Sequence, residues 1–93
     1  MTWSVYADLA RWLTDDELPR VSAALDAILA DAGWCMGPNR GGLHEIYFSV
    51  TQSSRADAEA AAGRIVTTVL EQAGVAIGFA FQLQLQPGPA QTT

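Results

Sequence analysis

The clearest pattern in the chain is a two-residue alternation towards its C-terminal end, VAIGFAFQLQLQ over 75–86. Val75, Ile77, Phe79, Phe81, Leu83 and Leu85 fall on one side, and Ala76, Gly78, Ala80, Gln82, Gln84 and Gln86 on the other. A period of two places such sets on opposite faces of a strand, one of them buried. The opening segment alternates too, with Trp3, Val5, Ala7 and Leu9 against Ser4, Tyr6, Asp8 and Ala10. Its aromatic and β-branched start predicts a first strand from Trp3 to about Arg11, odd residues inward. A further run, Leu43 to Gln52, turns Ile46, Phe48 and Val50 inward and Glu45, Tyr47, Ser49 and Thr51 outward. Trp34-Cys35-Met36 predicts a short edge strand. It is joined to that run as a hairpin through Gly37-Pro38-Asn39-Arg40-Gly41-Gly42, residues that favour turns.

Two stretches change to helical spacing. Over Thr14–Gly33, Leu18, Val21, Leu25, Ile28, Leu29 and Ala32 form one face. Thr14 and Glu17 have the spacing of a capping box, and Asp15 and Asp16 suit the positive end of the helix dipole. Pro19 conflicts with that start, since it lacks an N–H and disfavours helical geometry at Leu18. Either the first turn is distorted or the regular helix begins near Pro19. A second helix is expected over Arg55–Ala73, capped by Ser53 or Ser54 and ended by Gly74. Its inward stripe is Ala58, Ala62, Ile65, Val69 and Ala73, with Val66 alongside. Residues 1–86 are expected to form one domain, and the unpatterned PGPAQTT of 87–93 a loose tail.

The order strand, helix, strand, strand, helix, strand over Trp3–Gln86 resembles the ferredoxin-like βαββαβ fold group, an α+β sandwich. Right-handed crossovers then give a four-stranded antiparallel sheet of order 4-1-3-2, with both helices on one face. The other face should present Ser4, Tyr6, Asp8 and Ala10, then Glu45, Tyr47, Ser49 and Thr51, and the even-numbered residues of 76–86. Trp34 or Met36 joins it, depending on register. Tyrosine and tryptophan suit interfaces, because they bury area and keep a polar handle. The small residues Ala76, Gly78 and Ala80 allow close approach. The last strand is an edge with no charge and no proline before Pro87, a kind of edge that invites pairing with another chain.

Composition narrows the function. The 93-residue chain carries a net charge of −5 and no lysine, and its five basic residues are scattered arginines. Nucleic-acid binding needs a clustered basic face, and an anionic membrane surface is disfavoured by the same sign. The single cysteine, Cys35, cannot close an internal disulfide, which suits a reducing cytoplasm. The first residues carry Asp8 and no basic region, unlike a signal peptide, and no apolar run reaches the roughly 20 residues of a membrane span.

Local chemistry is sparse. His44 and Glu45 are adjacent on a strand, point to opposite faces and do not make a dyad. Cys35 is expected to be a buried or half-buried small side chain. His44 across the hairpin is the one group that could approach it as a base. No paired-cysteine or paired-histidine spacing exists for zinc, so no metal and no cofactor are expected. The glycine-rich loop carries Arg40 but precedes a strand, and so lacks the helix N-terminus that makes such loops hold phosphate. Asp15, Asp16 and Glu17 are accounted for as helix N-terminal charge, being too few for a calcium loop. LTDDELP after the first strand is acidic, where the acylphosphatase-type sites of this fold group need an arginine.

Within the fold group the chain is similar in length and topology to small-molecule-sensing modules of the ACT type. Those bind effectors at subunit interfaces, often near a glycine in the first strand–helix turn, and this chain has no glycine there. It is also similar to dimeric α+β-barrel proteins, including small monooxygenases, which pack sheets face to face around a pocket. Neither resemblance transfers a functional residue. The leading expectation is a cytoplasmic protein-interaction module that forms a homodimer or binds a protein partner. It would use the uncovered face or the fourth-strand edge, with contacts from Tyr6, Tyr47, Gln82 and Gln84. The alternative is a small-ligand-binding or enzymatic dimer with a pocket over that face, drawing on Asp8, Trp34 and His44 together with Tyr6 and Tyr47.

Overall fold

The computed structural model describes residues 1–30, 33–38 and 44–86. Along the chain these form β1 (Thr2–Leu9), α1 (Glu17–Ile28), β2 (Cys35–Pro38), β3 (His44–Thr51), α2 (Arg55–Ala73) and β4 (Phe79–Leu85). The strands make one antiparallel sheet of order β2-β3-β1-β4. This is the ferredoxin-like βαββαβ arrangement that the alternating and helical runs predict. Residues 39–43, most of the expected hairpin loop, and the expected tail 87–93 lie outside the described residues.

The core lies between the sheet and the helices. Val5, Ala7 and Leu9 of β1 and Ile46 and Phe48 of β3 are sealed from water, as the odd–even alternation requires. Against them pack Val21, Ala24 and Leu25 of α1 and Ala58, Ala62, Val66, Val69 and Ala73 of α2. Ile65, expected in the inward stripe, is only partly buried, and Ala61 and Leu70 are buried beside it. Alanine on α2 lets the helix approach the sheet closely.

Pro19 is accommodated in the first turn of α1, where an N–H has no partner within the helix. The capping box forms one turn upstream: the Glu17 N–H donates to Thr14 Oγ1 at 3.2 Å, and the Thr14 N–H donates to Glu17 Oε1 at 2.9 Å. The regular helix stops at Ile28, short of the expected Gly33, and residues 31 and 32 lie outside the described residues. α2 starts at the Ser54 cap, whose side chain accepts from the Asp57 N–H. It ends at Gly74 in the left-handed region, φ 70°. The Val75 N–H donates back to Leu70 O at 2.9 Å and the Gly74 N–H to Glu71 O at 3.1 Å. This pattern caps the helix and turns Val75 into the core beside Leu70.

That turn shortens the last strand. The alternation predicts strand from Val75, but β4 begins at Phe79, opposite Leu9 at the end of β1. Beyond Leu9 the only further rung among the described residues is the Ala10 N–H to Gly78 O bond at 3.0 Å, so Val75 to Ile77 have no strand partner among them. Arg20 of α1 donates through Nε to Ala73 O at 2.8 Å, tying a cation to the C-terminal end of α2.

Candidate functional site

The uncovered face is built in rows across the sheet. One row runs Cys35, Tyr47, Tyr6, Gln82 from β2 to β4, and the next Gly37, Glu45, Asp8, Ala80. A third joins Ser49, Ser4 and Gln84. The Tyr6 and Tyr47 rings are 5.1 Å apart and tilted at 52°. Beside them a polar clasp crosses three strands. The Gln86 Nε2 donates to Ser4 Oγ at 2.8 Å and to Ser49 Oγ at 3.1 Å, and the Tyr47 hydroxyl lies 3.3 Å from Ser4 Oγ. The clasp covers Ser4, which is buried although it sits on the open side.

Asp8 and Glu45 are opposite partners on β1 and β3. Directly opposed like charges destabilise a strand pair. Desolvation raises the Glu45 carboxyl above its ordinary range, and a hydrogen bond and charge repulsion from Asp8 raise it further. Burial and the neighbouring Asp8 therefore favour the protonated form of Glu45.

Two of the five candidate pocket residues face the other way. His44 is in phase with Ile46 and Phe48 and is buried on the helix-covered side. Its Nδ1 accepts the Leu13 N–H at 2.9 Å, and Trp12 meets its ring edge-on at 3.9 Å. Burial holds its pKa below the usual 6.5. Trp34 also turns towards the helices, packing on the core and donating through Nε1 to Asp26 Oδ1 of α1 at 2.9 Å. Tyr6, Asp8 and Tyr47 of that set remain on the open face. Cys35, not Trp34 or Met36, joins the uncovered face from β2, and it is exposed rather than half-buried. His44 pairs with Pro38 and lies on the opposite side from Cys35, so the two form no nucleophile–base pair. Among the described residues no three His, Cys, Asp or Glu side chains gather as a metal site, and no helix is long and apolar enough to cross a membrane.

The β1–α1 connection is also pinned by an ion pair that its spacing did not advertise. Arg11 grips Glu17 with two bonds of 2.8 and 2.9 Å, and these with the Thr14 N–H pull the Glu17 carboxyl down to about 2.

The two sheet edges differ. β2 is four residues long and ends in Gly37-Pro38. β4 is seven residues, FAFQLQL, without charge or proline. On its helix side Phe79 and Phe81 are half-buried and stacked at 6.2 Å, and Leu85 is 48% exposed. Ala80, Gln82 and Gln84 are exposed on the open side.

No protein-family model matches the chain, and no curated protein matches it. Among solved structures it is similar to the solution structure of the de novo designed protein LFR1 1, described as having a ferredoxin fold. The TM-score is 0.61 at 13% identity, over 96% of this chain and 89% of that one. It is also similar to the crystal structure of protein Atu4242 from Agrobacterium tumefaciens. There the TM-score is 0.50 at 14% identity, over 96% of this chain and 95% of that one. Likeness at such identity is a likeness of fold, and the chain has the ferredoxin-like fold.

Proposed function

We propose that this chain is an interaction module that assembles with a second copy of itself along β4. The observation carrying this reading is the β4 edge: seven residues whose outer backbone groups have no partner among the described residues, with no charge and no proline, and with Phe79, Phe81 and Leu85 incompletely covered. Sheet edges that stay unpaired are ordinarily short or guarded by proline, charge or a bulge. The β2 edge is short and carries proline, and the β4 edge has none of these guards. A net charge of −5 sets two copies against each other over most of their surface, and β4 is a strip where that repulsion is absent. Gln82 and Gln84 lie on the strand itself, with Tyr6 and Tyr47 in the rows behind them. The rival pocket over the open face loses Trp34 and His44 to the helix side, which favours the edge.

Sedimentation equilibrium tests the reading. The unmodified chain should be a dimer, Gln82→Lys a folded monomer, and Tyr47→Asp still a dimer. A chain that stays monomeric up to millimolar concentration removes the reading. Dissociation by Tyr47→Asp but not by Gln82→Lys moves the contact to the open face.

A further inference from the structure

The hydrogen bonds at the two ends of β4 determine which of its backbone groups are free. The Gln86 N–H donates to Thr2 O at 2.9 Å, and the Ala10 N–H donates to Gly78 O at 3.0 Å. Hydrogen-bonded and non-bonded pairs alternate along an antiparallel ladder. The even-numbered residues of β4 therefore direct their N–H and C=O groups at β1. Phe79, Phe81, Leu83 and Leu85 direct theirs outward, away from the sheet.

Resting on the edge-pairing reading above, we infer that two copies join antiparallel along β4 about a two-fold axis at Gln82, forming one continuous sheet. In this register Phe79 pairs with the second copy's Leu85 and Phe81 with its Leu83, and each of these pairs exchanges both outward backbone bonds. Ala80 faces the second copy's Gln84, and Gln82 faces its own counterpart.

Three features select this register and a second copy as the occupant. A two-fold contact needs a surface complementary to itself. Reversing FAFQLQL about its central Gln82 places apolar on apolar at every odd position. Shifting the axis to Phe81 or Leu83 leaves Leu85 or Phe79 without a strand partner. Gln82 sits on the axis, and a carboxamide both donates and accepts, so two copies can bond to each other where two identical charges would repel. Finally, an even-numbered register keeps both helix layers on one side of the joined sheet. Phe79, Phe81 and Leu85, each incompletely covered in one copy, then gain cover from the other.

Cysteine cross-linking in a Cys35→Ser background tests the axis, with native mass spectrometry reporting the mass before oxidation. Directly opposed residues of a non-hydrogen-bonded pair have Cα atoms about 4.5 Å apart, within the range a disulfide spans. Two copies of residue 84 would lie about 14 Å apart along the strands, four residues at 3.4 Å each, which is too far. Gln82→Cys should form a covalent dimer at least tenfold faster than Gln84→Cys; both positions are exposed and leave the core intact. A dimer by mass that cross-links faster through position 84, or through neither position, overturns the register while leaving self-association standing. A monomer by mass at every concentration overturns the underlying reading and this inference with it.

Discussion

On the helix-covered face of the sheet, Val5, Ala7, Ile46 and Phe48 are closed to water. Their immediate neighbours Tyr6, Asp8, Glu45 and Tyr47 stand half-buried on the other face. The two sets share the same strands and the same backbone bonds, yet they are governed by different forces. The covered face gains from removing apolar surface from water, an effect insensitive to small changes of charge. The open face is held by directional contacts, a tyrosine pair and a three-strand hydroxyl–amide clasp, and it carries two opposed carboxyl groups that work against it at neutral pH. Stability therefore resides mainly on the first face. Exposed positions of the second face and of the β4 edge beside it should tolerate substitution without unfolding of the chain.

The largest break between the faces should come from Phe48→Ala. The ring is fully buried at the middle of the core, and the loss should be about 3–5 kcal/mol in urea unfolding. Tyr6→Ala, one row away on the open face, should cost clearly less in the same assay. An equal loss would mean that the open face is covered in solution.

His44 tests whether a polar group on the covered face is part of that face's stability. His44→Leu keeps the apolar contact but strips the Leu13 N–H of its acceptor, which should cost about 1–3 kcal/mol. A neutral or stabilising result would mean that water reaches that N–H.

Acid should act on the two faces with opposite sign. The His44 pKa is lowered on folding, so its contribution is fully present above about 6.5 and is lost as pH falls towards its folded value. Glu17 behaves likewise at lower pH: its contribution is present above 4.5 and is lost as pH falls towards about 2. Glu45 is raised, so its contribution is fully present below 4.5 and is lost as pH climbs through its folded value. His44 and Glu45 therefore oppose each other as pH falls below 6.5, and the change in melting temperature from pH 7 to pH 5 should be more favourable in His44→Leu than in the native chain. An identical change in the two would assign the titration to another group.

The smallest effect should come from Glu45→Gln. Ending the opposition to Asp8 should stabilise the chain at pH 7 by about 0.2–1 kcal/mol. The gain should disappear at pH 4, where the native Glu45 already holds its proton. Destabilisation at pH 7 would show that the two carboxyl groups support the sheet together.

Much of the covered face was legible in the chain alone. The alternation of Trp3, Val5, Ala7 and Leu9 and of Ile46, Phe48 and Val50 assigns each side chain to a face without knowledge of any partner. The Thr14–Glu17 and Ser54 caps are likewise local, because their donors and acceptors lie within one helical turn. Gly74 marked its helix end because a left-handed residue there has a sequence preference of its own.

What required the tertiary structure was every property that depends on which strand lies beside which. Trp34, Cys35 and Met36 do not alternate, so the phase of β2 was open until Cys35 met Tyr47 and placed Trp34 on the helix side. His44 looked like a strand-end residue, but it continues the phase of Ile46, and the returning β1–α1 connection covers it. The length of β4 was set by the end of β1, since a strand continues only as far as its partner does. Asp8 and Glu45, 37 positions apart in the chain, became neighbours only through the β1–β3 register. Sequence period fixes the direction of each side chain from its own backbone, whereas register and edge length arise from pairing between distant segments and exist only once the sheet has formed.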